Sequence, residues 1–107
     1  MKIYDVTEML DEEVAVVKIK GKDYPVNDGF KTVLKATSLF DDEKELEGAE
    51  AVNRMLQAIE LVLGKEAAKV CETMKIGNVK TIFSAAMAAI NGMSLEEMEA
   101  RFQEQAE

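Results

Sequence analysis

The sequence predicts a mainly α protein (α+β), with a short N-terminal β-hairpin followed by a compact bundle of four to five helices. Three observations carry this reading. Residues 14–26 are rich in β-branched side chains and alternate around a glycine. From Asp28 onward apolar residues recur at helical spacing. The 107 residues fit a single domain, with a hairpin region over 1–27 and a helical region over 28–107. The chain is 48% hydrophobic, with 7 Met, no Trp and 4 Phe, so the core is expected to be aliphatic.

The first strand is Val14-Ala15-Val16-Val17-Lys18-Ile19-Lys20, and the second is Asp23-Tyr24-Pro25-Val26. Gly21-Lys22 between them reads as a type II′ turn, with glycine at its first central position. That turn sets Lys20 opposite Asp23, Ile19 opposite Tyr24 and Val17 opposite Val26. Both apolar pairs then share one face, and the charged pair lies on the other. Pro25 has no N–H, so its strand is expected to be an edge there. A lone hairpin is marginal in water and must pack on a helix or gain a third strand. Ile3-Tyr4-Asp5-Val6 alternates and is a candidate third strand; alternatively, Thr7-Glu8-Met9-Leu10 begins a helical turn.

Asn27 or Asp28 is expected to cap the first helix, with Phe30, Val33, Leu34, Thr37 and Phe40 on its inner stripe. Asp41-Asp42-Glu43 supplies negative charge where the next helix dipole is positive. That second helix is predicted over 43–63, with Leu46, Ala49, Val52, Leu56, Ile59 and Leu63 inward. Met55, Ala58, Leu61 and Val62 widen the stripe until residues 55–63 are apolar nearly all round, as in a central or interface helix. Gly64 either ends this helix or sits inside a longer one. A third helix follows over 65–76, with Ala67, Val70, Cys71 and Met74 inward. Gly77 stops it and Asn78 caps a fourth helix over 79–90, which Asn91-Gly92 closes. Val79, Ile82, Phe83, Ala86, Met87 and Ile90 form its inner face. Its outer face, Thr81, Ser84, Ala85, Ala88 and Ala89, is made of small residues and fits either burial in the same domain or a helix from another chain. Ser94-Leu95-Glu96-Glu97 is a capping box that starts a last helix, with Leu95, Met98 and Phe102 on one side.

The residue inventory excludes several chemistries. The chain has no His and a single Cys, so it lacks Ser-His and Cys-His nucleophile pairs, an intrachain disulfide and a Cys-His zinc set. Cys71 is expected to be a buried core thiol. The acidic runs at 11–13, 41–43 and 96–97 read as solvated or helix-capping groups. No catalytic residue, metal site or cofactor is expected. A net charge of −8 argues against binding nucleic acid or an anionic membrane. The sequence shows no leader and no membrane span, and the single thiol suits a reducing cytoplasm, so a soluble cytoplasmic protein is expected. The two faces that a small domain has least room to hide mark Met55, Ala58 and Val62 on helix two, and Ser84, Ala85 and Ala88 on helix four, as candidate partner-binding residues.

Two stretches, "VKIKGKDYPVNDGFKTVLKATSLF" and "NVKTIFSAAMAAINGMSLEEMEARF", set a hairpin running straight into acidic helices. In this order, over residues 14–102, the chain resembles the small tail assembly chaperones of long-tailed phages and prophages. The resemblance implies a non-enzymatic protein of the bacterial host cytoplasm. It implies self-association, a second, longer product made by frameshifting in many members, and binding of a long helical tape measure protein that is kept soluble during tail assembly. It transfers no site residue. An acidic surface also admits an alternative reading as a regulatory adaptor or DNA mimic that binds another protein.

Overall fold

The computed structural model describes residues 1–40, 48–92, 96, 97 and 100. Strand β1 (Val16–Ile19) pairs antiparallel with β2 (Lys22–Pro25), and four helices follow: α1 (Phe30–Ser38), α2 (Gly48–Leu63), α3 (Lys65–Glu72) and α4 (Ile76–Ile90). The expected fold class is therefore the one observed. Residues 96, 97 and 100 are helical, while Ser94 and most of the expected last helix lie outside the described residues, as do Asp41-Asp42-Glu43 and Leu46.

The hairpin register differs from the expected one by two residues. Val17 faces Tyr24, Lys18 faces Asp23 and Ile19 faces Lys22. The cause lies in the turn. Lys20 (φ 52°) and Gly21 (φ 83°) both adopt left-handed backbone, so they form the central pair of a type I′ turn. A shift of two preserves which side chains share a face. Ile19, Tyr24 and Val26 are buried and Val17 is half-buried, all on the face toward the helices. The expected Lys20–Asp23 pair is replaced by Lys18–Asp23 at 3.7 Å. Lys22 reaches Glu66 of α3 at 2.7 Å, with its ammonium 5.5 Å from the Tyr24 ring centre. This hydrogen bond holds the Glu66 carboxyl below its ordinary range and pushes Lys22 upward. Both side chains are exposed, so the pair orients the hairpin more than it stabilises it.

Residues 1–6 form no strand, and Thr7–Met9 is a single 3-10 turn. Asp5 organises its entry: its Oδ1 accepts the Thr7 N–H at 3.0 Å and the Thr7 hydroxyl at 2.6 Å, which lowers the pKa of the carboxyl.

Helix α1 departs from expectation at its cap and on its inner face. Its N-cap is Gly29, and Asn27 accepts the Gly29 N–H instead of capping the helix with its side chain. Phe30, Leu34 and Thr37 face solvent, while Ala36 is fully buried. The smallest apolar residue marks the closest approach to the core, which turns the larger Phe30 and Leu34 outward. Phe40, just past the helix, still packs inward against Phe83 of α4, with ring centres 5.3 Å apart. The Arg54 guanidinium of α2 donates to the Leu39 carbonyl and pairs with Glu50 one turn earlier.

Helix α2 is central and touches α1, α3 and α4. Ala58, Ile59, Val62 and Leu63 are buried, whereas the expected core residue Ala49 is exposed. Gly64 ends α2 at φ 98°, ψ 171°, a backbone region that side chains essentially exclude. The Val62 carbonyl would be orphaned by this stop, and the Asn27 N–H donates to it at 2.8 Å. Helix α3 ends at Glu72, four residues earlier than expected, with Ala67 and Cys71 buried and Val70 and Met74 half-buried. Gly77 and Asn78 are not a stop and a cap. They form the first turn of α4, whose N-cap is Lys75, because the Lys75 carbonyl already accepts the N–H groups of Asn78 and Val79 at 2.9 and 3.2 Å. The end is as expected, with Asn91 at the C-cap and Gly92 at φ 71°.

Two stability predictions follow. Ile19→Asp should cost about 3 kcal/mol, because it buries an unpaired charge, while Lys18→Gln on the exposed face should stay within about 0.5 kcal/mol. Denaturant melts of both variants check the face assignment. Gly64→Ala has open space for its methyl group, yet should cost roughly 1–3 kcal/mol through backbone strain alone. A melt equal to wild type would show that this turn relaxes.

Candidate interaction groove

A groove of about 850 Å³ runs between β1 and α4. One wall consists of residues 14–20 in unbroken succession, with none of β2. Side chains alternate across a strand, so a wall touching every residue is the strand's edge and not its face. The bond from Val26 N–H to the Ala15 carbonyl sets the phase of the ladder. Ala15, Val17 and Ile19 therefore spend their backbone groups on β2, and Val16 and Lys18 direct theirs into the groove. The far edge of β2 is different, because Pro25 opposite Val16 has no N–H to offer.

The other wall is a stripe of α4, Asn78, Thr81, Ile82, Ala85, Ala88 and Ala89, continued beyond the two helix ends by Met74 and Gly92. These positions recur at three and four residues, so they line one side of the helix. Its length, about 17 Å by helix rise, is close to the roughly 20 Å of the facing strand edge. Small side chains on this wall leave the space open. The groove is also polarised. Asp11, Glu13 and Asp28 lie at one end and Lys18 and Lys20 at the other, since the Val26–Ala15 bond brings residue 28 alongside residue 13.

The sequence-derived candidates divide accordingly. Ala85 and Ala88 line the groove, with Ala85 half-buried and Ala88 buried. Ser84 and Met55 are half-buried and lie elsewhere. Ala58 and Val62 are corrected. Both are packed inside this chain, because α2 is surrounded by three helices and needs its apolar girth for its own core. Sequence reasoning missed the β1 edge. The only signals for it were Pro25, which disqualifies the opposite edge, and the run of Val14 and Val16 on a face not needed by the core.

Among the described residues no three carboxylates or thiols converge as a metal-binding group. Asp11 instead accepts the Glu13 N–H at 2.9 Å, shaping the acidic rim. Among the described residues no helix is long and apolar enough to cross a membrane. Cys71 is buried and burial pushes its thiol pKa upward. It should therefore react with a thiol reagent at neutral pH at least tenfold more slowly in the native protein than in denaturant. Equal rates would remove it from the core.

No protein-family model, curated protein or solved structure matches this chain.

Proposed function

We propose that this chain is a non-enzymatic binding protein of the tail assembly chaperone kind, acting in the cytoplasm of a bacterial host to shield apolar segments of a tape measure protein. The groove along α4 carries this reading. It is long and open, and its helical wall of small side chains lets another chain approach closely. Phe30 and Leu34, one turn apart on α1, add apolar surface that the fold leaves exposed. A net charge of −8 opposes aggregation of a complex with an apolar client. Reversible client binding calls for a modest contact, and a groove of this size supplies one.

The test is co-expression with tape measure fragments. Wild type should recover a fragment, and Thr81→Arg or Ala85→Arg should lower recovery at least tenfold with an unchanged melting temperature. The charged chains fill the groove from exposed and half-buried positions of α4. Failure of the wild type to recover any fragment would overturn the chaperone reading. Recovery of a repressor or polymerase in its place would install the adaptor reading.

A further inference from the structure

We propose that the N-terminal segment of a second copy of this chain adds as a strand to the open edge of β1, parallel to it, and fills the groove. The inference stands on the groove geometry; the segment occupies the groove in the client-free protein, and a client that binds there displaces it.

The groove presents unpaired backbone groups at Val16 and Lys18 beside an apolar wall, which is what an added strand requires. The chain itself carries a matching strand. Ile3, Tyr4 and Val6 are 77%, 81% and 50% exposed, have β-forming side chains, and belong to no strand in the folded chain. A six-residue segment spans about 20 Å when extended, the length of the β1 edge.

Charge decides the orientation. The acidic end of the groove holds Asp11, Glu13 and Asp28, and the basic end holds Lys18 and Lys20. The segment is polarised too, with Lys2 before Asp5. A parallel strand sets Lys2 toward the acids and Asp5 toward the lysines, whereas an antiparallel one brings like charges together at both ends. The register that sets Asp5 beside Lys18 also sets Ile3 beside Val16, Tyr4 beside Val17 and Val6 beside Ile19. Tyr4 and Val6 then share the inward face of Val17 and Ile19. Thr7 engages only Oδ1 of Asp5, so the carboxylate can still meet a lysine.

Orientation in turn decides the source. A parallel connection needs about a dozen residues or more. Only residues 7–15 separate the segment from β1, and three of these are tied up in the 3-10 turn. The chain cannot place its own N-terminus parallel to its own β1. A second copy can, and two copies can do so reciprocally.

Three variants test this with the purified full chain. Wild type should show a dimer mass by light scattering, with slow amide exchange at Val16 and Lys18. Val16→Pro removes an outward N–H without touching the ladder to β2, and Tyr4→Asp places a charge against the α4 wall. Each should halve the mass while circular dichroism is retained. Asp5→Cys combined with Lys18→Cys should give an intermolecular disulfide on mild oxidation. A monomeric wild type overturns the proposal. So does a dimer that survives Tyr4→Asp, or an intramolecular disulfide, which would mean that the chain's own segment pairs antiparallel. Should Val16→Pro unfold, Tyr4→Asp and the cross-link decide alone, since Tyr4 is exposed in the free chain. A monomer that still recovers tape measure fragments would sink this inference and leave the chaperone reading standing; a dimer that recovers none would do the reverse.

Discussion

The hydrogen bond from the Asn27 N–H to the Val62 carbonyl is the constraint on which the rest of the arrangement depends. Helix α2 stops abruptly at Gly64, which leaves carbonyls of its last turn without helical partners. Val62 is buried, so water cannot compensate its carbonyl, and an unmet group there would cost roughly 1–3 kcal/mol. The chain leaving the hairpin supplies the donor. This one contact fixes where β2 ends relative to α2, and the ladder then fixes β1. Helix α4, packed against α2 on its own account, ends up beside β1, and the groove is the space between them.

The core around this contact is built from small and branched aliphatic residues. Ala36, Ala58, Ala67 and Ala86 are fully buried, which lets helices lie close without large side chains between them. Among the described residues, the ring contact of Phe40 with Phe83 ties the end of α1 to α4. Close packing of this kind needs little volume per contact but tolerates little change. Larger apolar side chains, Phe30 and Leu34 among them, are left at the surface because the interior was closed by smaller ones.

How much of this was legible in the sequence depends on whether a feature is carried by side chains or by backbone. The faces of the hairpin were legible because side-chain alternation has a period of two, and an error of two residues in register leaves it intact. The register was not, because a lysine at a left-handed turn position leaves no pattern in the sequence. The inner face of α1 was misread for a related reason. Hydrophobicity favours Phe30 and Leu34, whereas the contact is decided by how closely Ala36 can approach. Gly77-Asn78 looks like a break, yet a first helical turn asks little of its residues, and the Lys75 carbonyl begins α4 ahead of them. Of the candidate contact residues, Ala85 and Ala88 lie on the groove wall, and the small-residue stripe of α4 is what marked them in the sequence. Ala58 and Val62 were not distinguishable from interface residues, because an all-round apolar helix reads the same whether its neighbours are in the same chain or another. The edge of β1 was invisible to side-chain patterning, since what it offers is N–H and C=O.

Pro25 has a consequence for how such molecules can stack. Hairpins that join edge to edge in an open-ended fibre must present complementary ladders on both sides, so that β1 of one molecule meets β2 of the next. The outer side of β2 offers the Asp23 N–H and no donor at Pro25. A head-to-tail array therefore loses a rung at every junction. The hairpin offers an unbroken edge on one side only, so hairpins cannot stack edge to edge into a fibre without losing that rung.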